Sequence, residues 1–388
     1  MSALWFGLLA GTMLWLVLCT LLALWARPLP EAPERHPVRT ADGWLLTLHR
    51  YPPRAGHSSH PLPVIFAHGL NMNRASWVLT PSGDLPRAMA QRGHDVFVLE
   101  YRGGPSSQPP SEDGTSDRGR WDYDIEDHVN LDLPAIIDRV QAISGGERVN
   151  WVGHSMGGML IYLYAAQHGS SKLNRVVTLG SPVRFQLPRY LPSTAVRLFD
   201  LVKRWRKRLH LKALCWLTLP LSVFLGRRVL RKFLCPLYLG AREMATLCWT
   251  SVSDVSVPIH DFFIARAAQN RHLCPGEDEG VEGIEPGGLA RLEAPLLVIS
   301  GERDQVAPPA AVRLAYARAG SPQAAYKHFG DPSGLERGPV FGHCDLASSA
   351  RSVAHVLPML ADWFEGGAPK TAHPTESRGL SPTDPEGA

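Results

Sequence analysis

The fold is decided by one stretch of the chain, Asn150-Trp151-Val152-Gly153-His154-Ser155-Met156-Gly157-Gly158. It has the spacing G-x-S-x-G, in which a serine lies between two glycines. The apolar residues before the serine predict the end of a buried strand, and Met159–Ala166 predicts the helix that follows. A turn this tight between a strand and a helix strains the backbone of the serine and leaves no space for side chains at the glycines. We therefore predict that Ser155 is a nucleophile whose hydroxyl stands above a sheet.

A carboxylate and a histidine follow the serine along the chain. The apolar run Pro295–Ser300 predicts a buried parallel strand, and Asp304 comes just after its end. Asp331 is a competing acid, but the Pro-Ser-Gly that follows it is typical of a turn. His343 follows a last predicted strand, Ala324–Phe329. Because a serine hydroxyl needs an imidazole base, and that base needs a carboxylate partner, we predict a catalytic set of the serine, Asp304 and His343.

Backbone donors for a developing oxyanion are predicted near two strand ends. One donor is the N–H of Met156, which follows the nucleophile. The other is the N–H of Leu70, which follows the short apolar strand Pro63–Ala67 and the turn His68-Gly69. Preorganised N–H groups of this kind stabilise a tetrahedral intermediate.

These motifs together resemble the serine hydrolases of the α/β-hydrolase fold, and within them the acid lipases of the lysosomal and gastric group. The resemblance covers roughly residues 36–365 and implies hydrolysis of esters, often of lipid acyl chains, with the triad roles given above. One departure is Met156, where acid lipases usually carry glutamine, and another is the segment after the sixth strand, which does not align. The motifs that carry the resemblance are His68-Gly69-Leu70, Trp121-Asp122-Tyr123, Leu131–Ala135, Gly153–Gly158 and Phe341–Leu346.

Strands that alternate with helices predict a doubly wound, mostly parallel α/β sheet. A hairpin around Ala41-Asp42-Gly43 is expected at its antiparallel edge. After the sixth strand, Val176–Pro182, the alternation stops, which predicts a helical cap. The predicted segments are an anchor (1–26), the first part of the core (36–183), the cap (184–275), an acidic linker (275–288), the second part of the core (289–365) and a disordered tail (366–388).

The N-terminal stretch Leu4–Ala26 has no charged side chain and reaches the ~20 residues that cross a bilayer. We predict a single-pass membrane anchor, with a signal peptide and a buried helix as alternatives. No Lys or Arg precedes the run, whereas Arg27, Arg35 and Arg39 follow it. The positive-inside rule therefore favours a cytoplasmic catalytic domain.

The predicted cap concentrates positive charge, because residues 184–232 hold thirteen Lys or Arg and one acid. A basic helix with tryptophans is typical of a protein surface that lies on anionic lipid, although a solvated helix face has the same composition. We predict that this part of the cap contacts a membrane. The residues predicted to do so are Lys203, Arg204, Trp205, Arg206, Lys207 and Arg208.

No sequence pattern for a zinc site, a nucleotide-binding loop or a dinucleotide fingerprint is present. His57 and His60 lie in a Gly/Ser/Pro-rich loop, which favours solvated side chains over metal ligands. We therefore expect an enzyme without metal or cofactor, acting on an ester or lipid and not on nucleic acid. An acyltransferase with the same triad and a catalytically silent binding protein are the alternatives.

Overall fold

The computed structural model describes residues 2–54, 60–110, 119–185, 201, 203, 205–225, 238–274, 288–330 and 339–367. Several expectations lie outside these residues. They concern His57, Arg204, most of the acidic linker, Asp331 and nearly all of the C-terminal tail.

An eight-stranded sheet forms the centre of the chain, in the order β1-β2-β4-β3-β5-β6-β9-β10. The hairpin β1-β2 lies at one edge, and β2 is antiparallel to β4. All other pairs in this sheet are parallel, as the sequence predicted. A two-residue ribbon, β7-β8, lies in the cap. The strands are β1 (Glu34–Arg39), β2 (Leu45–Tyr51), β3 (Val64–Ala67), β4 (Val96–Glu100), β5 (Val149–His154), β6 (Leu173–Leu179), β7 (Arg208–Leu209), β8 (Val255–Ser256), β9 (Leu296–Gly301) and β10 (Ala324–Phe329).

Helices cover both faces of the sheet and build the cap. The helices that flank the sheet are α2 (Leu85–Gln91), α3 (Leu133–Ser144), α4 (Met156–His168), α9 (Pro309–Arg318), α10 (Asp345–Ser348) and α11 (Ala350–Phe364). The N-terminal helix is α1 (Ser2–Trp25), and the described cap helices are α5 (Leu211–Leu217), α6 (Leu219–Phe224), α7 (Ala241–Thr246) and α8 (Val257–Ala268).

The helical spacing of Tyr123–Ile143 predicts a helix with a kink at Pro134. Pro134 lies in the first turn of α3 and has no N–H to donate to the helical carbonyls that precede it. A π-helical turn, His128–Asp132, precedes it and continues from the short helical segment Ile125–Asp127. The helical stretch therefore widens by one π-helical turn directly before the proline.

The central strands are buried on both faces, which explains their continuous apolar sequences. Every residue of β3, β4 and β5 is buried. Neighbouring residues of one strand pack into different cores, so Ile65 and Trp151 belong to one cluster and Phe66 and Val152 to the other. This double cover fixes the positions of the strand ends, where the candidate site lies.

A buried ion network ties the antiparallel edge to the helical layer. The Arg102 guanidinium donates to Asp132 at 2.6 Å and to Asp42 at 2.8 Å. Nδ1 of His128 lies 2.7 Å from the second carboxylate oxygen of Asp132. The side chains of Arg102 and Asp132 are 1% and 0% exposed. Asp132, which belongs to one of the resemblance motifs, thus has a structural role here.

We expect Asp132→Ala to lower the free energy of unfolding by about 3–5 kcal/mol, because the buried guanidinium loses its main partner. Asp138→Ala is the matched control, since Asp138 pairs with Lys172 at the surface and should contribute less than about 1 kcal/mol. Urea unfolding of both variants measures the difference. Equal stability of the two variants would contradict the assigned role.

Candidate active site

Ser155 joins the end of β5 to the start of α4 and has φ 52° and ψ −118°. The backbone strain predicted for this serine is therefore confirmed. A side-chain carbon at Gly157 would lie 2.3 Å from the carbonyl oxygen of Ala67, and one at Gly153 would lie 2.4 Å from a backbone nitrogen of α4. Both glycines are required by the close approach of α4 to β3 and β5.

The structure brings His343 and Asp304 into contact. Nδ1 of His343 lies 2.7 Å from Oδ2 of Asp304. The other carboxylate oxygen accepts the N–H groups of Val306 at 3.0 Å and Ala307 at 2.7 Å. These bonds fix the carboxylate in place, and the Nδ1 contact leaves Nε2 of His343 to exchange a proton with a reacting group.

The serine and the His–Asp pair share one edge of the sheet. The N–H of Ser155 donates to Leu179 at the end of β6, and Gly180 follows directly. A side-chain carbon at Gly180 would lie 2.9 Å from Oδ2 of Asp304 and 3.3 Å from Nδ1 of His343. The predicted triad residues are 7%, 3% and 5% exposed in chain order. Burial of this kind shields the pair from water and strengthens its electrostatic interactions.

The predicted oxyanion donors lie on either side of the serine. Met156 is the first residue of α4, where helix geometry leaves backbone N–H groups without intrahelical carbonyl partners. Leu70 lies in the turn after β3, and its neighbour Gly69 packs against the serine. A side-chain carbon added at Gly69 would lie 3.2 Å from Cβ of Ser155. The positive end of α4 adds to the field at this position.

His154 is a site residue that the sequence reasoning did not identify. Its Nε2 lies 2.9 Å from the carbonyl oxygen of His343, and the two ring centroids are 4.8 Å apart. Burial, reinforced by the nearby His343, lowers the pKa of His154 to about 3, so the ring is neutral. Its Nδ1 has no hydrogen-bond partner among the described residues. We therefore place the single N–H on Nε2, from which it donates to the loop that carries His343.

Three possible metal ligands, His60, His94 and Glu365, lie within 4.8 Å of one another. They lie on segments that precede β3 and β4 and follow α11, at the edge opposite Ser155. The ring centroids of the two imidazoles are 3.8 Å apart with 9° between the ring planes, so an ion in the plane of one ring would lie well outside the plane of the other. The arrangement packs the two rings without providing a coordination geometry.

The basic cluster of the cap is largely paired with acids that are distant in sequence. Lys203 contacts Asp261 at 2.7 Å and Lys207 contacts Asp122 at 2.6 Å. Arg208 pairs with Asp254 and stacks on Trp121. In contrast, the side chain of Trp205 is 81% exposed. These ion pairs reduce the charge available to lipid headgroups, and membrane contact by this cluster stays a prediction.

The sheet order, the strained serine turn and the position of the His–Asp pair define an α/β-hydrolase fold. Residues 63–215 match the family model described as alpha/beta hydrolase fold, and residues 32–81 match the partial alpha/beta-hydrolase lipase region. A thermophilic esterase from Thermogutta terrifontis has the same fold, with a TM-score of 0.53 and 15% identity over 86% of this chain and 98% of that one.

The similarity to lipases that the motifs indicated is confirmed by sequence relatives. The chain is 30% identical to triacylglycerol lipase 2 of Arabidopsis thaliana over 158 residues, which are 39% of this chain and 38% of that protein. It is 30% identical to gastric triacylglycerol lipase of Bos taurus over 128 residues, 32% of each chain. The chain thus matches about a third of the length of these relatives. Asp304 and His343 lie outside both family-model matches, so their pairing rests on the structure.

We predict that His154→Ala slows the labelling of Ser155 by a fluorophosphonate probe about 10- to 100-fold, because the loop of His343 loses its tether and the base is misplaced. His154→Gln retains a side-chain N–H donor and should restore part of the rate. A gel-based time course of probe labelling gives the rate for each of the two variants, provided that their thermal stability equals that of the wild-type protein. Equal rates for Ala and wild-type protein would refute the positioning role.

Proposed function

We propose that this protein hydrolyses carboxylic esters, and lipid acyl esters in particular, through an acyl-enzyme on Ser155. The observation that carries the proposal is the 2.7 Å contact between His343 and Asp304 beside a serine with φ 52°. The match of residues 32–81 to a lipase region supports lipid acyl groups as the substrate class.

The geometry supports the following reaction. Nε2 of His343 removes the proton of the Ser155 hydroxyl while the oxygen attacks the ester carbonyl. The N–H groups of Met156 and Leu70 stabilise the oxyanion that forms. When the intermediate collapses, the ester C–O bond breaks, and His343 gives its proton to the departing alcohol. A water molecule, deprotonated by the same imidazole, then releases the carboxylic acid and restores the serine.

We also propose that α1 anchors the protein in a membrane. Its stretch Trp5–Trp25 is long and apolar enough to cross a bilayer. A signal sequence near the N-terminus has the same length and composition. Leu8, Leu14, Leu21 and Leu24 are between 56% and 77% exposed, and water is an unfavourable environment for so many neighbouring leucines. The cytoplasmic orientation of the catalytic domain stays a prediction.

Ser155→Ala and His343→Ala should each lower kcat by about 10³- to 10⁶-fold, because each removes the same attack step. The matched controls are His168→Ala, at the last residue of α4, and Ser170→Ala, two residues further on, which change the same residue types at the end of the helix opposite Ser155. Hydrolysis of p-nitrophenyl esters by equally stable variants measures the effect. Near-normal turnover by Ser155→Ala would refute the assignment.

The acid is tested by comparing Asp304→Asn with Asp331→Asn. We expect Asp304→Asn to lower kcat by about 10⁴-fold, since the amide no longer holds His343 in the productive tautomer. Asp331→Asn should leave kcat unchanged. The opposite result would transfer the role to Asp331.

A panel that runs from p-nitrophenyl acetate to long-chain acylglycerols tests the substrate class. A lipid esterase should prefer the long acyl chains when kcat/KM values are compared. Labelling of Ser155 by a fluorophosphonate separates an active hydrolase from a silent binding protein, because only an activated serine reacts. Transfer of the acyl group to an added alcohol in preference to water would indicate an acyltransferase.

A further inference from the structure

The second half of α1 is docked on the cap. All residues from Trp5 to Leu14 are exposed, whereas one flank of the last three turns is covered. The indole N–H of Trp15 donates to the carbonyl oxygen of Leu217 at 2.9 Å. Leu22 of α1 and Ala26, just after the helix, share an apolar cluster with Leu219, Met244, Ala245, Leu247 and Cys248 of the cap. The helix and the cap therefore form one packed unit.

Polar contacts mark the end of α1 that faces water. The N–H of Arg27 donates to the hydroxyl of Thr246 at 3.0 Å, and Nε of Arg242 donates to the carbonyl oxygen of Trp25 at 3.0 Å. Both arginines are charged, so this level must be close to a headgroup or water layer. Trp15 is ten residues before Trp25, which corresponds to about 15 Å along a helix axis.

This spacing conflicts with a cap that stays in water. The hydrocarbon layer of a bilayer is about 30 Å thick, and α1 needs its whole apolar stretch, Trp5–Trp25, to cross it. If α1 crosses, the carbonyl of Leu217 lies near the middle of the layer, because Trp15 holds it there. If the cap stayed in water, only the exposed part of α1, Trp5–Leu14, could enter the bilayer. These ten residues cover only about half of the hydrocarbon thickness.

The surface of the cap at this position is suited to hydrocarbon. Helix α6 has no charged residue, and α5 has one, Lys212 in its first turn. Exposed apolar side chains extend along both helices, and their exposed fractions run from 43% to 67%. They are Leu214, Leu217, Leu221, Phe224 and, just after α6, Leu225.

We propose that α5 and α6 are immersed in the hydrocarbon of the leaflet next to the catalytic domain, with α1 beside them. The inference rests on the proposed anchoring by α1 and specifies its depth and its partner, the acyl chains of the bilayer. Immersion removes the exposed leucines from water, and each fully buried side chain of this size contributes about 1.5–3 kcal/mol. It also assigns the main membrane contact to the apolar helices and not to the basic cluster Lys203–Arg208.

The immersed cap is linked to the candidate site. The N–H of Asn73 donates to Ser251 at 3.0 Å, and the N–H of Ser253 donates to Asn71 at 2.8 Å. Asn71 and Asn73 belong to the loop that also carries Leu70, the proposed oxyanion donor. The cap thus contacts the loop of the proposed oxyanion hole directly, and membrane-resident lipid esters are the substrate class that an immersed cap favours.

Photo-crosslinking of the full chain tests the proposal. The photoreactive p-benzoyl-phenylalanine replaces Phe224, Trp205, Leu9 or Val306 one at a time, in vesicles of phosphatidylcholine and phosphatidylglycerol with tritiated acyl chains. Val306 is the matched control, because it is exposed and apolar but lies on the core beside β9. We expect at least tenfold more lipid adduct at position 224 than at 306, with no change on adding salt.

The possible results distinguish the immersion of α5 and α6, the anchoring by α1 and the proposed ester hydrolysis from one another. Adduct at 9 without adduct at 224 would overturn the immersion and leave the anchor in place. Lack of adduct at 9 would overturn both. If position 205 alone gave adduct and added salt reduced it, the basic cluster would be the membrane contact in place of α5 and α6. Salt would reduce such a contact because attraction to charged headgroups is screened over about 8 Å. Hydrolysis of a soluble p-nitrophenyl ester by the variants at 9, 205 and 224 reports on the proposed activity independently, whereas position 306 is used for crosslinking alone because Val306 donates to Asp304.

Discussion

The close approach of α4 to β3 and β5 is the constraint on which the rest of the structure depends. Gly153 and Gly157 permit it, because any larger side chain would meet backbone atoms at less than 2.5 Å. The approach holds Ser155 in a conformation that costs of order 1–3 kcal/mol for a residue with a side chain. The fully buried strands on both sides supply the packing that sustains this strain, so the nucleophile is positioned by the sheet itself.

The loops at the same sheet edge depend on this fixed point. Asp304 is held by two backbone N–H groups of its own turn, and His343 is held by Asp304 on its ring and by His154 on its carbonyl. His154 is next to Ser155 in the chain, so the proposed base and the proposed nucleophile are connected through one neutral imidazole. This connection helps to explain how His343, two residues before α10, is held beside Asp304.

The cap has two surfaces with different physical roles. Three of its described basic residues face carboxylates of the core and cap, in the pairs of Lys203 with Asp261, Lys207 with Asp122 and Arg208 with Asp254. Its helices α5 and α6 face outward with leucine and phenylalanine, beside the apolar helix α1. Charge therefore orders the described part of the cap on the core, and α5 and α6 present the apolar surface that we propose to lie in lipid.

Local patterns in the sequence determined the strands, the hairpin edge, the strained serine turn and the apolar N-terminal helix. Each of these depends on residues close together in the chain, such as β10 at Ala324–Phe329, which the structure reproduces residue for residue. Only the tertiary structure decided the contacts between distant segments: His154 with His343, 189 residues apart, and Trp15 with Leu217, 202 residues apart. Periodicity and turn chemistry report on neighbours, whereas these contacts depend on how the packed sheet brings loop ends together. The same reason explains why the basic cluster could be counted from the sequence, while its carboxylate partners could not be identified.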